Sequence, residues 1–590
     1  MLERWFLRNV KVDLDFISKK LGISKLLAKI ITNRNIKDLR LIDSFIYPSL
    51  KKLHNPRLMK DIELGVSLVK KSIMDGKKIR ISGDYDQDGN SAILTLYNGI
   101  KRCGGNVDYV IPHRVRDGYG INERIIREAK EDGIHLIITC DNGISAFDAI
   151  KLAKDLGIIV VVTDHHDVSF VEGEKGEKEY VLPEADAIIN PKRPDCNYPF
   201  KALCGAGVAF KFIQVLYEEF GIDVEESYEL LEFVAMGTVC DVVDLIDENR
   251  IIVKEGLKRI NNTQNIGLKA LIKATGLEGR KISTYSLGFV LGPSINASGR
   301  LDSAEIAVEM FLTQEADLAK QYAEELYRLN EERKGMTEEG LNKVIDQIET
   351  GDFIDQKVLV LYEPEAHESI VGIIAGKIKD IYYRPTILLT QSKDENKIKG
   401  SGRSIEEYNM FEEISKCKDL LVGFGGHPMA AGLSLDKSNL DNFRERLNGQ
   451  ASLTGEDLLP KVYIDVYLPI EYISFNLVEE LKALEPFGKG NPKPLFADKN
   501  ISIKRGFILG KNQNVLKLLL LTKNGNTIDG LYFGNIDEFE NKLTEKFGKD
   551  EIDKMYKGID NQIKMDIVYT PNINEYMGNR TLQVIIQNYR

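Results

Sequence analysis

From about residue 77 the chain alternates short apolar, β-branched runs with stretches of helical period. Four of the runs, IRIS, VDYVIP, HLIITC and IIVVVT, each end in a turn bearing acidic, glycine or histidine residues, and helical segments at 122–132 and 145–156 lie between them. Continuous rather than alternating hydrophobicity predicts strands buried on both faces, the βαβ pattern of a parallel sheet. Ligands of open parallel sheets bind at the carboxyl ends of the strands, so the four turns are expected on one edge. Upstream, Leu26, Leu27, Ile30 and Ile31, then Ile62, Val66 and Val69, predict an N-terminal helical region over 1–75. Downstream, Leu318, Tyr322, Leu326 and Leu329 recur at helical spacing in a charged stretch almost free of Gly and Pro, which predicts long connecting helices. A second α/β region runs over 357–447, with strand-like KVLVLY and TILLT and glycine-rich turns. Beyond residue 459, six strand-like runs predict a small β-barrel.

The expected architecture is therefore α/β: helices at 1–75, a parallel-sheet domain at 76–245, a helical connector at 246–355, a second α/β domain at 356–455 and a barrel at 456–590. With 590 residues, 43% apolar and 29% charged, the chain is no disordered polymer. Its longest apolar runs, 158–162 and 518–521, fall far short of the roughly 20 residues that cross a bilayer. No secretory signal is visible at the start, so a cytoplasmic location is expected. The six cysteines form no CxxC pair and read as buried free thiols. A net charge of −11 argues against coating nucleic acid by bulk charge. Residues 377–403 nonetheless carry seven Lys or Arg against three Asp or Glu, consistent with a local nucleic-acid channel.

The candidate chemistry lies in the turns. Asp84, Asp86 and Asp88 alternate in GDYDQDG. A calcium loop would need a bidentate Glu six residues after the Gly, where Thr95 stands. His165 and His166, two of only seven histidines, sit between Asp164 and Asp167, as metal ligands with carboxylate partners would. Asp141 and Asp241 each follow an apolar stretch, and each taken alone could be a helix N-cap. Together these residues make an Asp/His set without Cys, suited to manganese or magnesium. Carboxylates shared between two ions would suit activation of water for in-line attack on phosphorus.

These turns resemble the DHH phosphoesterase superfamily and, more closely, its RecJ family of single-stranded-DNA exonucleases. The resemblance spans about residues 75–500 and rests on seven ordered segments: GDYDQDG, IPHRVRDGYGIN, CDNGIS, TDHH, GTVCDVVDL, GPSINASGRL and GGHPMAAG. It implies two divalent ions, manganese or magnesium, on Asp86, Asp88, Asp141, His165 and Asp241, with Asp84 completing one sphere. It implies that His166 stabilises charge at the scissile phosphate, that metal-activated water is the nucleophile, and that no covalent intermediate forms. Asp141, His165 and His166 are then the catalytic residues. Arg114, Ser401 and Arg403 resemble the family's grip on a 5′ phosphate, which Arg300, Gly425, Gly426 and His427 would extend. The implied activity is 5′→3′ hydrolysis of single-stranded DNA to 5′-mononucleotides in recombination and repair. A short-oligonucleotide or cyclic-dinucleotide phosphodiesterase is the alternative, and a non-catalytic replication scaffold is disfavoured by the full Asp/His set. The resemblance further implies an OB-fold barrel, with Phe507 or Tyr532 as stacking residues or core, a RecQ-type helicase and single-strand-binding protein as partners, and a monomer. Gln87 and Asn90 depart from the family's small or apolar residues, Ser82 stands where some members have His, and residues 366–373 replace its usual Trp-His-x-Gly start.

Overall fold

The computed structural model describes residues 3–114, 116–172, 177–510, 512–576 and 578–590. It divides into two compact units, one made of 53–243 and 251–460, the other of 3–52, 244–250 and 461–590.

In the first unit the apolar runs form a five-stranded sheet, ordered Asn106–Val110, Lys78–Ser82, Leu136–Cys140, Ile159–Thr163 and Ala187–Ile189. All four pairings are parallel, and Ser82, Val110, Thr139, Thr163 and Ile189 come into register near one edge. In sequence order the strands run 2-1-3-4-5, which puts the topological switch point between Lys78–Ser82 and Leu136–Cys140. The turns carrying Asp84–Asp88 and Asp141 leave from those two strands. Helix Gln87–Arg102 starts immediately after Asp86, whose side chain caps it by accepting from the N–H groups of Asp88 and Gly89. It packs against helices Gly205–Phe220 and Leu231–Cys240.

The 35-residue helix Ala316–Thr350 lies against helix Gly292–Leu301 through its first half. Its second half contributes Val344 and Ile348 to the core beneath a second five-stranded sheet. That sheet is ordered Leu421–His427, Ala430–Asp436, Lys397–Arg403, Thr386–Gln391 and Leu359–Tyr362, and only the last pairing is parallel. Helix Val371–Tyr382 covers it and buries Ile374 and Ile378.

The second unit holds a closed barrel of Phe496–Leu509, Val515–Leu521, Thr527–Tyr532, Asn579–Tyr589 and Lys564–Tyr576, the last strand pairing back to the first. The alternation in Val515–Leu521 buries Leu516, Leu518 and Leu520. Tyr532 is buried against Phe539 and Tyr589, so it belongs to the core.

The N-terminal region expected over 1–75 is divided between the units. Helices Leu14–Leu21, Lys25–Thr32 and Leu39–Ile46 share the barrel's core, and strand Arg4–Leu7 pairs in parallel with Lys461–Ile464. Helix Ile62–Met74 packs instead on Gly205–Phe220 of the first unit. The barrel also admits two helices with no strand-like pattern, Ile536–Phe547 and Lys549–Lys557.

Arg250 ties the second unit together from inside. Its side chain is wholly buried, and all five N–H donors are used on carbonyls of Phe45, Ala483, Leu484, Glu485 and Pro486, at 2.8 to 3.3 Å. The guanidinium also lies 3.8 Å from the Phe45 ring centroid. Burial and the neighbouring Arg34 lower its pKa to about 9, which leaves it charged at neutral pH. Lysine has three donors on a point charge and cannot satisfy five carbonyls. Replacing Arg250 by Leu or Lys should therefore destabilise the unit by about 3 kcal/mol or more, because buried acceptors are left unpaired. Thermal unfolding with tryptophan fluorescence checks this, since Trp5 lies in this unit. Unchanged melting of R250K would show that the five bonds are not what matters.

Candidate metal centre

Five acidic side chains and two imidazoles converge where the parallel strands end. Three groups of potential ligands form, Asp84 with Asp86 and Asp141, Asp88 with His165 and Asp241, and Asp141 with His165 and His166. Within each group the ligand atoms all lie within 4.8 Å of one another. Asp141 and His165 each belong to two groups, the sharing that two adjacent cation sites require. Buried atoms pointing into the cluster, Asp84 Oδ1, Asp141 Oδ1, His165 Nε2 and Asp241 Oδ2, accept or donate no hydrogen bond. His165 Nε2 sits 3.0 Å from Asp141 Oδ1, a close approach without hydrogen-bond geometry. Buried polar atoms are normally satisfied, so this concentration of orphans fits a site for cations of hard, oxygen-preferring character.

The electrostatics agree. Burial, reinforced by the charges of Asp88, Asp86, Asp241 and Asp84, pushes the Asp141 carboxyl far above the ordinary range. Burial and Asp86 do the same to Asp84, and burial with neighbouring carboxylates raises Asp88 and Asp241. Burial lowers His165 to about 4, so it is neutral and keeps a lone pair for a metal.

Local sequence makes this crowding possible. Helix Gly205–Phe220 points its first N–H groups at Asp88, whose carboxylate accepts from Gly205 and Ala206 at 2.6 and 3.0 Å. A Cβ on Gly205 would stand 2.6 Å from Asp141 Cβ, and one on Gly237 would stand 2.5 Å from Asp88 Oδ1, so both positions require glycine. Asp141 has φ +61°, an unusual conformation that Asp tolerates better than most residues. Asp241 caps the carboxyl end of Leu231–Cys240, not the amino end that its sequence context allowed. The following Val242 has φ +56°, a true outlier for a β-branched residue.

His166 behaves differently from His165. Burial opposes its charge, but the 2.8 Å contact from Nδ1 to Asp164 outweighs burial and raises it to about 9. Asp164 is buried and also accepts from the N–H groups of Ile144, His165 and His166. It orients the histidine turn, a role the sequence reading did not assign although Asp164 opens that turn. Tyr119 was missed too. Its hydroxyl donates to the Asp141 carbonyl at 2.5 Å and lies 3.3 Å from the His166 ring nitrogens. Only its place in the DGYG segment marks it in sequence.

Beside the centre lies a cavity of about 580 Å³ whose lining includes Tyr85, Tyr119, Arg114, Arg300, Ser401 and Arg403. Arg114 stacks 4.7 Å over the Tyr85 ring. Arg300 donates to the Ser369 carbonyl at 2.6 Å, and Arg403 to Ser401 Oγ at 2.6 Å and the Gly402 carbonyl at 2.8 Å. Among the described residues none of the three arginines has a carboxylate within ion-pair distance. Burial and the nearby Arg114 lower both Arg300, to about 10, and Arg403, the signature of cations gathered without an anion. Gly425, Gly426 and His427 stand outside the lining, on the exposed end of Leu421–His427, and His427 Nδ1 lies 3.8 Å from Asp167. Of the seven cations in 377–403, only Lys399 and Arg403 line the cavity. Arg384 instead bonds the carbonyls of Tyr382, Tyr383 and Leu458.

Three family profiles match the chain, the DHH family N-terminal domain over residues 78–238, the DHHA1 domain over 355–452 and the RecJ OB domain over 464–588. It is 33% identical over 582 residues to the single-stranded-DNA-specific exonuclease RecJ of Haemophilus influenzae, covering 95% of both chains. The Escherichia coli RecJ is 33% identical over 585 residues, again 95% of each. The Bacillus subtilis RecJ is 36% identical over 520 residues, 88% of this chain, which spans 64% of that longer relative. The crystal structure of RecJ from Thermus thermophilus in complex with Mn2+ superposes with a TM-score of 0.81 at 27% identity, covering all of this chain and 79% of that one. A Mg2+ complex of the same protein gives 0.76 at 26% identity. By this identity, extending over nearly the whole chain, the protein belongs to the RecJ family of single-stranded-DNA-specific exonucleases.

Proposed function

We infer that the protein hydrolyses single-stranded DNA from its 5′ end to 5′-mononucleotides, using two manganese or magnesium ions. The observation that carries this reading is the juxtaposition of a shared Asp/His cluster with a cavity whose three arginines have no carboxylate partner among the described residues. The cluster suits a scissile phosphodiester, and the adjoining cavity suits a terminal phosphate. Holding that terminus gives both polarity and stepwise release.

Asp86, Asp88, Asp141, His165 and Asp241 would hold the ions, with Asp84 completing one sphere. When bound, the ions supply Lewis acidity at the phosphoryl oxygens and lower the pKa of the attacking water. His166, kept cationic by Asp164, presents its remaining N–H to charge developing on the phosphorane oxygens. Tyr119 holds the Asp141 backbone and the His166 ring together. Arg114, Arg300, Ser401 and Arg403 bind the 5′ phosphate, with Gly425, Gly426 and His427 further along the strand path. A RecQ-type helicase would supply single strands and a single-strand-binding protein would present them. Among the described residues no helix is long and apolar enough to cross a membrane.

The test is a time course on 5′-phosphorylated single-stranded DNA, the same duplex and a dinucleotide, with Mn2+, Mg2+ or EDTA. Mononucleotides should accumulate from the single strand alone, and EDTA should abolish them until Mn2+ is restored. Cleavage of the dinucleotide only would replace the substrate class and leave the metal centre standing.

Asp141→Asn removes a ligand charge yet tolerates the positive φ. It should lower turnover by about 1,000-fold or more and raise the melting temperature in EDTA, since the amide, unlike the carboxyl, need neither carry a charge nor take up a proton to be buried in the cluster. A variant that is equally active, or less stable without metal, would contradict the assigned role. Arg403→Ala should lower kcat/KM on 5′-phosphorylated ends by about tenfold or more and leave 5′-hydroxyl ends nearly unaffected. Equal losses on both would mean Arg403 does not read the terminal phosphate.

A further inference from the structure

Glu368 and Ser369 line the cavity and His367 directly precedes them, and each of the three holds something in place. They form the turn between strand Leu359–Tyr362 and helix Val371–Tyr382, within the stretch where this chain departs from its family's usual sequence. The turn is anchored on the sheet by Thr390, whose hydroxyl donates to the Ala366 carbonyl at 2.6 Å, and it closes through the Ile370 N–H to the His367 carbonyl at 3.0 Å.

His367 Nδ1 meets two groups of Ser369, the hydroxyl at 2.7 Å and the backbone N–H at 3.3 Å. Since the N–H can only donate, Nδ1 is the acceptor and the ring is the neutral Nε2–H tautomer. Burial, Lys399 and Arg114 all lower the His367 pKa, in keeping with a neutral ring. The Ser369 peptide so fixed aims its carbonyl at Arg300, which donates to it at 2.6 Å. Between them, Glu368 is ion-paired with Lys399, and both side chains line the cavity. Among the described residues Glu368 is the one carboxylate lining the cavity beside its four cations, and it engages the lysine while the arginines stay without one.

We propose that the 367–369 turn is a positioning bracket for the terminal-phosphate pocket: His367 acts as an obligatory acceptor that sets the Ser369 carbonyl and through it the Arg300 guanidinium, while Glu368 parks Lys399 beside the phosphate position. The bracket discriminates a 5′ phosphate from a 5′ hydroxyl, because a guanidinium with one donor already spent on Ser369 keeps its other donors directed at the ligand. An incoming phosphate competes with Glu368 for Lys399 and so gains a fourth cation only if it is present as an anion. His367 and Ser369 touch no reacting atom and act through Arg300.

This inference rests on the reading of the cavity as a 5′-phosphate site, and one experiment separates the two. Matched single strands bearing a 5′ phosphate or a 5′ hydroxyl are compared by kcat/KM in the full-length protein with Mn2+. No preference in the unmutated protein would overturn the cavity reading itself. Given a preference, H367A should reduce it by about tenfold through KM for the phosphorylated strand, the loss of one well-placed charge-assisted contact, while 5′-hydroxyl turnover stays within about twofold. H367N places an amide oxygen where Nδ1 was and should restore the preference. If H367A fails to fold, H367Q, which moves the acceptor by one methylene, takes its place. Retained preference in H367A or H367Q, equal losses on both strands, or failure of H367N to rescue would each overturn the bracket.

Discussion

Like charge buried at a strand switch point is the constraint on which the first unit depends. Asp84, Asp88 and Asp141 are almost fully buried, with Asp86 and Asp241 beside them, and burial with mutual repulsion drives several toward protonation. Separated unit charges at about 4 Å interact by about 4 kcal/mol at an effective dielectric near 20, so several such pairs without cations strain the fold. Divalent ions convert the same geometry from repulsive to cohesive. Asp241 sharpens the point, because it caps the negative end of a helix dipole, where a carboxylate gains nothing until a cation arrives.

The rest of the unit is arranged to tolerate that arrangement. The amino end of Gly205–Phe220 supplies two N–H groups to Asp88, and Asp86 caps its own helix, so two carboxylates receive backbone dipoles. Gly205 and Gly237 let helices approach to a distance that any side chain would forbid. The positive φ at Asp141 and Val242 costs on the order of 1–3 kcal/mol each, and it occurs on one of the clustered carboxylates and directly after another. Strain of this kind persists only where packing over-determines it, as the wholly buried Val234, Ala235 and Met236 do ahead of Asp241.

Sequence made the edge of the sheet legible because the turns bearing Asp84 to Asp88, Asp141 and His165 with His166 each directly follow an apolar, β-branched run, a local signal. Parallel pairing then brings turns about 25 to 80 residues apart together without further information. What escaped was non-local or disguised. Strand Arg4–Leu7 pairs with Lys461–Ile464, and nothing within either segment announces a partner so distant, which is why the first 75 residues read as one region. Asp241 follows an apolar helix that resembles an apolar strand over ten residues, so its position at a helix carboxyl end was invisible. Arg250 looks like any surface arginine in an ordinary helix, because the five carbonyls that consume its donors belong to residues far away in sequence. The cation surplus in 377–403 divides in the structure: Lys399 and Arg403 line the cavity, whereas Arg384 is spent on backbone carbonyls.

The unpaired arginines and the unpaired carboxylates are close enough to shift each other's pKa, yet they do not neutralise one another. Each arginine is tethered by something neutral: Arg114 by the Tyr85 ring, Arg300 by the Ser369 carbonyl, Arg403 by Ser401 and Gly402. Neutral tethers fix direction without consuming charge, so the guanidinium remains available to an anion from outside. A carboxylate tether would stabilise the folded protein more and bind phosphate less. The same logic holds across the centre, where Asp164 is allowed to neutralise His166 only at Nδ1, leaving the opposite nitrogen free to donate. The site therefore keeps its two signs of charge apart by short, rigid, mostly uncharged contacts, and that separation is what a phosphodiester with a charged terminus and two cations can bridge.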